Sequence, residues 1–220
     1  MANNTKPNFS AAYSKANEIL VKSRVISTFP FSPIDLVKEQ SAIKCRTYKK
    51  ALKYGIDIND FGSESATIFR YGGKEIIFYD EAKPMAHVKF SILHELGHPL
   101  NNHDFSIKDD ETYHKYEVET NYFAAQLLMP EQLLRELQRR GVRITSSFLQ
   151  TTFGVSGQAA DKRIETLAKT NMEWRSRAEK EFDDIILMKF ADFLDTIYPI
   201  RNTYDFEDEY ARQQERNSWY

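Results

Sequence analysis

The spacing of apolar residues predicts a chain that is mainly helical. From Ser10 to a point before Pro30, apolar residues recur at three- and four-residue intervals and predict an amphipathic helix, whose inward residues are Ala12, Ala16, Ile19 and Leu20. Ser32 and Pro33 predict the cap and first residue of a short second helix. A longer stripe from Glu179 to Tyr198 predicts one continuous helix. Its inward set is Phe182, Ile185, Ile186, Phe190, Phe193, Leu194 and Ile197, and Asp183 falls outside it.

Strand patterns occupy one short region before the middle of the chain. The segments ATIFRY, from Ala66 to Tyr71, and EIIFY, from Glu75 to Tyr79, flank a turn that contains Gly72 and Gly73. This arrangement predicts a β-hairpin. The stretch from 42 to 48 predicts either a third short strand or an exposed turn. Together with the helices, the hairpin indicates an α+β fold.

Composition narrows the class of protein. The chain has 220 residues and is 41% hydrophobic, so it can bury a core. Its formal net charge of -2 gives no support to a protein that binds nucleic acid non-specifically. A single cysteine, Cys45, excludes an intrachain disulfide and is interpreted as a packing residue. The sequence shows no signal peptide and no membrane-spanning run, which predicts a cytoplasmic protein without membrane contact.

The candidate chemistry lies in FSILHELGHPL, which contains His94, Glu95 and His98 in the pattern H-E-x-x-H. On a helix the two histidines project from one face, one turn apart, and can share a divalent ion. Glu95 is displaced from direct ligation and can take a proton from an attacking water. Zinc is the expected ion, because it accepts imidazole and carboxylate ligands and leaves one position open. Gly97, costly inside a helix, indicates that another backbone passes close by.

A third ligand is expected from a later helix. The metzincin position for a third histidine holds Asp104, and His103 falls one residue short. The segment YEVETNYFAAQLLMP instead places Glu117 and Asn121 on one helical face. Glu117 can therefore reach the metal, with Asn121 as a hydrogen-bond partner for a ligand. Glu119 points about 200° away and is expected to be solvated or structural.

The pattern F-x-x-x-HELGH followed by E-x-E-x-N-x-FAAxLLMP resembles the ImmA/IrrE family of zinc metallopeptidases, specifically over about 67–130. The resemblance implies that His94, His98 and Glu117 are the zinc ligands and that Glu95 is the catalytic acid/base. Thr120 stands where the family usually has Ala, and Pro99 where an aliphatic residue is common. The resemblance also implies a cytoplasmic regulatory peptidase of bacteria, phages or mobile elements that cleaves or inactivates a helix-turn-helix repressor.

The loop between the two motifs offers further candidates. His103, Tyr113, His114 and Tyr116 are candidates to stabilise the oxyanion or contact substrate, and surface residues without a role are the alternative. His87 is interpreted as a core residue or a partner of a ligand rather than a fourth ligand.

After Pro130, a helix with Arg135, Arg139 and Arg140 on a solvated face is expected. The stretch 144–167 then has a helix-turn-helix cadence with Ser156 as a cap. Lys162 and Arg163 would belong to any DNA-contacting set there, while packing or partner docking is the favoured alternative.

These observations predict an α+β, zincin-like metallopeptidase in which a small sheet or hairpin packs beside the H-E-x-x-H helix and a helical C-terminal region follows. Residues 1–170 form the peptidase domain, and 171–220 form a helical extension with a charged tail. The predicted function is a zinc-dependent endopeptidase acting on a protein substrate such as a repressor. The alternative is a non-catalytic regulator or inhibitor that binds a protein, or DNA, on the same scaffold. The oligomeric state is left open.

Overall fold

The computed structural model describes residues 6–40, 42–57, 59, 65–104, 109–170 and 175–198. Within these ranges the fold is α+β, with one three-stranded sheet among helices. The elements are α1 (Phe9–Lys22), α2 (Pro33–Glu39), β1 (Ile43–Thr47), a 3₁₀ helix (Tyr48–Tyr54), β2 (Ala66–Tyr71), β3 (Lys74–Tyr79), α3 (Met85–Leu100), α4 (Asp110–Leu128), α5 (Glu131–Arg139), α6 (Ser146–Phe153), α7 (Gly157–Lys169), α8 (Arg177–Lys189) and α9 (Ala191–Ile197).

The sheet has the order β1-β3-β2, with β1 parallel and β2 antiparallel to β3. The predicted hairpin is confirmed, and Gly72 and Gly73 both have positive φ angles (55° and 73°), as a tight hairpin turn requires. Both faces of β3 are covered, because Ile76 and Phe78 pack with the 3₁₀ helix and Ile77 packs in the main core. Cys45 on β1 is buried, which fits its interpretation as a packing residue.

The α3 helix packs against α4 through its glycine. A Cβ added to Gly97 would lie 2.9 Å from Cδ1 of Phe123 and 3.1 Å from Cγ2 of Thr120, both on α4. The prediction of close approach is therefore right, but side chains rather than a backbone occupy the space. The glycine lets the two helices that carry the candidate residues lie side by side.

The α1 helix ends at Lys22, before Pro30 as predicted. The hydroxyl oxygen of Ser23 accepts hydrogen bonds from the main-chain N–H groups of Val25 and Ile26, both at 3.1 Å. Such a local side-chain acceptor competes with the helical hydrogen bonds and turns the chain. The short α2 helix is confirmed, with Ser32 as its cap.

The helix-turn-helix cadence of 144–167 is confirmed as α6 and α7, with Ser156 capping α7. However, Arg163 is buried and donates to the main-chain oxygen of Met129 and to Gln126 on α4. It is therefore a packing residue that holds α7 against α4. The expected solvated arginine face on α5 is also wrong in part, since Arg140 is inserted between Glu136 and Asp195.

The C-terminal region is two helices instead of the single one predicted, because Phe190 leaves helical geometry (φ -107°, ψ 21°) between α8 and α9. Ile186, Phe190, Phe193 and Leu194 join the main core. Asp183, expected outside the apolar stripe, is buried and pairs with Arg175, while Ile185 is 46% exposed. The division at residue 170 remains a prediction, and the charged tail lies outside the described residues.

No helix in the described ranges has the length and apolar character needed to cross a membrane.

Candidate metal centre

The α3 helix presents the three residues of H-E-x-x-H together. Val88, Ile92, Leu93 and Leu96 bury one side of α3 in the core. This anchors the helix, so that His94 and His98 project from the neighbouring side toward α4. One ligand atom from each of His94, Glu95 and His98 lies within 4.8 Å of the others.

Glu117 on α4 comes closer still to both histidines. Its Oε2 lies 3.2 Å from Nε2 of His94, and its Oε1 lies 3.5 Å from Nε2 of His98. The other carboxylate near the imidazoles, Glu95, is held elsewhere, because its Oε2 accepts the main-chain N–H of Ile68 on β2 at 2.9 Å.

The spacing of these atoms fits a tetrahedral metal ion. Bond lengths of about 2.1 Å at tetrahedral angles separate neighbouring donor atoms by about 3.4 Å. The two nitrogen–oxygen separations, each to a different oxygen of Glu117, lie on either side of that value. Two imidazole nitrogens and one carboxylate are also the donor set of the two-histidine, one-glutamate metal sites.

The other nitrogen of His94 is also engaged. Its Nδ1 lies 3.0 Å from the amide oxygen of Asn121, so the ring donates a proton there and its Nε2 can ligate. Asn121 thus occupies the place that the helical face predicted. The hydroxyl of Thr120 lies 3.2 Å from the same nitrogen and donates to the main-chain oxygen of Tyr116.

His98 has a partner that the sequence did not reveal. Its Nδ1 lies 3.1 Å from Nδ1 of His103, whose Nε2 lies 2.9 Å from Oε2 of Glu119. Glu119 is buried, so the structural alternative for this residue holds and the solvated one is wrong. A turn after α3 brings His103 to this position. Asn102 adopts a left-handed conformation (φ 57°), and the N–H of His103 donates a hydrogen bond to the carbonyl of His98.

Burial and neighbouring charges shift the pKa values of four groups at this site. Burial alone would raise the pKa of Glu117, but hydrogen bonds and charge from His94 and His98 bring it well below its usual range. Burial alone would lower the pKa of His94, and the nearby Glu117 raises it overall. Burial raises the pKa of Glu95 against the opposing effect of the two imidazoles. Burial and His98 together lower the pKa of His103.

The remaining residues that the sequence analysis named as candidates differ in their exposure and contacts. Tyr113 and His114 are exposed on α4, and the Tyr116 ring stacks on His103 with centroids 4.0 Å apart. Their roles toward substrate stay predictions. His87 is exposed, so its interpretation as a core residue is wrong.

Comparison with known proteins agrees with the geometry. A family model for the IrrE N-terminal-like domain of the M78 peptidases matches residues 51–165, just over half of the chain. The matched range contains β2, β3, the three candidate ligands and most of α7. No curated protein matches the chain. The matched family suggests a metallopeptidase-like scaffold, and the cluster of His94, Glu95 and His98 is compatible with it. The chain belongs to the M78 peptidase family.

Proposed function

We propose that the protein is a zinc-dependent endopeptidase. The observation that carries the proposal is that the two oxygens of Glu117 face the Nε2 atoms of His94 and His98 at 3.2 and 3.5 Å, close to the donor spacing about a tetrahedral ion. His94, His98 and Glu117 would hold the zinc. When bound, zinc supplies Lewis acidity, which makes a water more acidic and polarises a peptide carbonyl.

Glu95 would be the general acid/base. It lies beside the ligands without being one, and the N–H of Ile68 fixes its carboxylate at 2.9 Å. In this role it accepts a proton from the attacking water and delivers that proton to the leaving amine. Its raised pKa suits the task, because a base whose pKa approaches the working pH both accepts and returns a proton readily.

The substrate would bind as an added strand beside β2. This strand is an edge of the sheet formed by the described residues, and its Ile68 N–H points to Glu95 rather than to a neighbouring strand. An extended peptide that pairs with an exposed strand edge presents its backbone at a regular spacing. A scissile carbonyl held along β2 would therefore lie next to Glu95.

We further propose that the substrate is a regulatory protein of the helix-turn-helix repressor type in the cytoplasm of a bacterium that carries a phage or mobile element. The support is the resemblance of the HELGH and E-x-E-x-N-x-FAAxLLMP motifs to the ImmA/IrrE family, together with the family match.

The test compares the wild-type protein with Glu95→Gln on a candidate repressor from a neighbouring gene. Both proteins should bind about one zinc per chain, and only the wild type should give repressor fragments by mass spectrometry. Cleavage that persists in Glu95→Gln contradicts the assigned base. A stable, uncut complex with a zinc-loaded wild type favours the binding regulator instead.

A further inference from the structure

A chain of hydrogen bonds leads away from the candidate metal centre to the first helix. It begins at Nδ1 of His98, passes through both nitrogens of His103 and ends at the carboxylate of Glu119. The second oxygen of that carboxylate, Oε1, accepts the main-chain N–H of Asn8, which caps α1, at 2.6 Å. His103 and Glu119 are both buried, with 5% and 6% of their surfaces exposed.

The acceptor at the end of this chain fixes each proton along it. An ionised carboxylate only accepts, and its Oε1 already accepts a main-chain N–H. Nε2 of His103 must therefore be the donor to Oε2. A neutral imidazole has one donor and one acceptor, so Nδ1 of His103 is an acceptor. Nδ1 of His98 then carries a proton, so a neutral His98 has its Nε2, which faces Glu117, available as a metal ligand.

We propose that His103 and Glu119 are positioning residues that fix His98 in the one tautomer able to ligate a metal ion. This inference rests on the metal site proposed above. The hydrogen-bonded chain from His98 through His103 to Glu119, here called the histidine relay, also fixes the orientation of the His103 ring. That ring contacts His98 and Glu119 and stacks on Tyr116. Partners of this kind, behind a ligating histidine, are worth about 10- to 100-fold in metal affinity.

A pair of substitutions at one position separates proton placement from space filling. His103→Leu removes both the acceptor and the donor. His103→Gln has a similar size but carries an acceptor oxygen and a donor nitrogen on one amide group, so it can still accept from His98 and donate to Glu119. Glu111→Gln, an exposed change in the first turn of α4, is the control for any general effect of purification.

The zinc dissociation constant of each variant is measured by competition with a chromophoric chelator, after circular dichroism has shown that the chelated proteins are folded. We expect His103→Leu to bind zinc about 10- to 100-fold more weakly than wild type, and His103→Gln to remain close to wild type. Because the chain has five histidines, ¹⁵N-histidine NMR of the zinc-loaded wild type should also resolve a proton on Nδ1 of His98 and on Nε2 of His103.

Four results overturn the inference. The first is zinc affinity that is equal in the Leu and Gln variants, whether both are normal or both are weak. The second is a proton found on Nδ1 of His103. A wild type that binds no zinc overturns both this inference and the proposed function, whereas normal zinc binding by His103→Leu removes only the relay.

Discussion

Gly97 is a point of close contact between α3 and α4, the helices that carry the candidate ligands, and its replacement by alanine tests how the site is held. The added Cβ would lie 2.9 Å from the ring of Phe123 and 3.1 Å from Thr120, side chains that are fully buried and have little room to move. Overpacking of this kind costs about 1–3 kcal/mol. Alanine recovers about 0.5–1 kcal/mol because it is the better helix former. The net expectation is a loss of roughly 0–2.5 kcal/mol.

The strain should also reach the metal, because relief requires α4 to move away from α3 and Glu117 moves with it. If about 1.4 kcal/mol of the cost appears in zinc binding, the dissociation constant rises about tenfold. We expect Gly97→Ala to lower the urea midpoint and weaken zinc binding together. The double variant with Phe123→Leu removes the nearest clash and should recover part of the zinc affinity, a coupling that independent sites do not show.

The matched control is Gly157→Ala at the start of α7, where the added Cβ would meet Gln150 at an ordinary 3.5 Å. Its stability should be unchanged or raised, with normal zinc binding. If Gly97→Ala proves as stable as the wild type and binds zinc equally well, the close approach of α3 and α4 at Gly97 does not set the site geometry.

Three further predictions concern charges. Glu117→Ala should abolish stoichiometric zinc, measured by elemental analysis, since it removes one of three ligands; a full zinc complement would contradict its assignment. In the protein freed of metal by a chelator, one pairing lowers the pKa of Glu117 and raises the pKa of His94. The pairing stabilises the fold only while Glu117 is ionised and His94 is protonated, so its contribution is lost as pH falls through the lowered value and also as pH rises through the raised value. Melting temperatures of wild type and Glu117→Gln should therefore converge at alkaline pH, and a constant difference would refute the pairing. Asp183→Ala removes one of the two carboxylates that pair with Arg175, the other being Glu131, and takes an acceptor from the hydroxyl of Tyr13 and the amide of Gln132. It should cost about 1–3 kcal/mol in urea unfolding, whereas the exposed change Asp184→Ala should alter stability by less than about 0.5 kcal/mol.

The sequence predicted those features that are set by local pattern. The hairpin, the cap of α2, the cadence of α6 and α7, and the shared face of Glu117 and Asn121 all follow from short-range spacing or turn chemistry. Helical periodicity brings a glutamate and an asparagine to one face regardless of what lies opposite. The site could therefore be assembled from two helices before their packing was known.

Features that depend on distant segments were missed. Glu119 pairs with His103 only because a left-handed turn at Asn102 brings the chain back beneath α3 and because α1 lies against α4. Asp183 looked solvated because its partner Arg175 lies outside the helical pattern and Tyr13 is 170 residues away. Helical periodicity predicts that a carboxylate outside the apolar stripe is solvent-exposed, because it carries no information about a buried cation on another segment.

Lys189 gives the last described helices a direct link to the first one. Its ammonium group contacts the main-chain oxygens of Leu20 (2.5 Å) and Ser23 (2.6 Å), at the carboxyl end of α1, while the opposite end of α1 holds Glu119 through Asn8. The α1 helix is thus held at both ends, by Lys189 of α8 at its carboxyl end and by Glu119 of the histidine relay at its amino end. Loss of the Lys189 contacts would therefore loosen the support behind His98 without touching any candidate ligand.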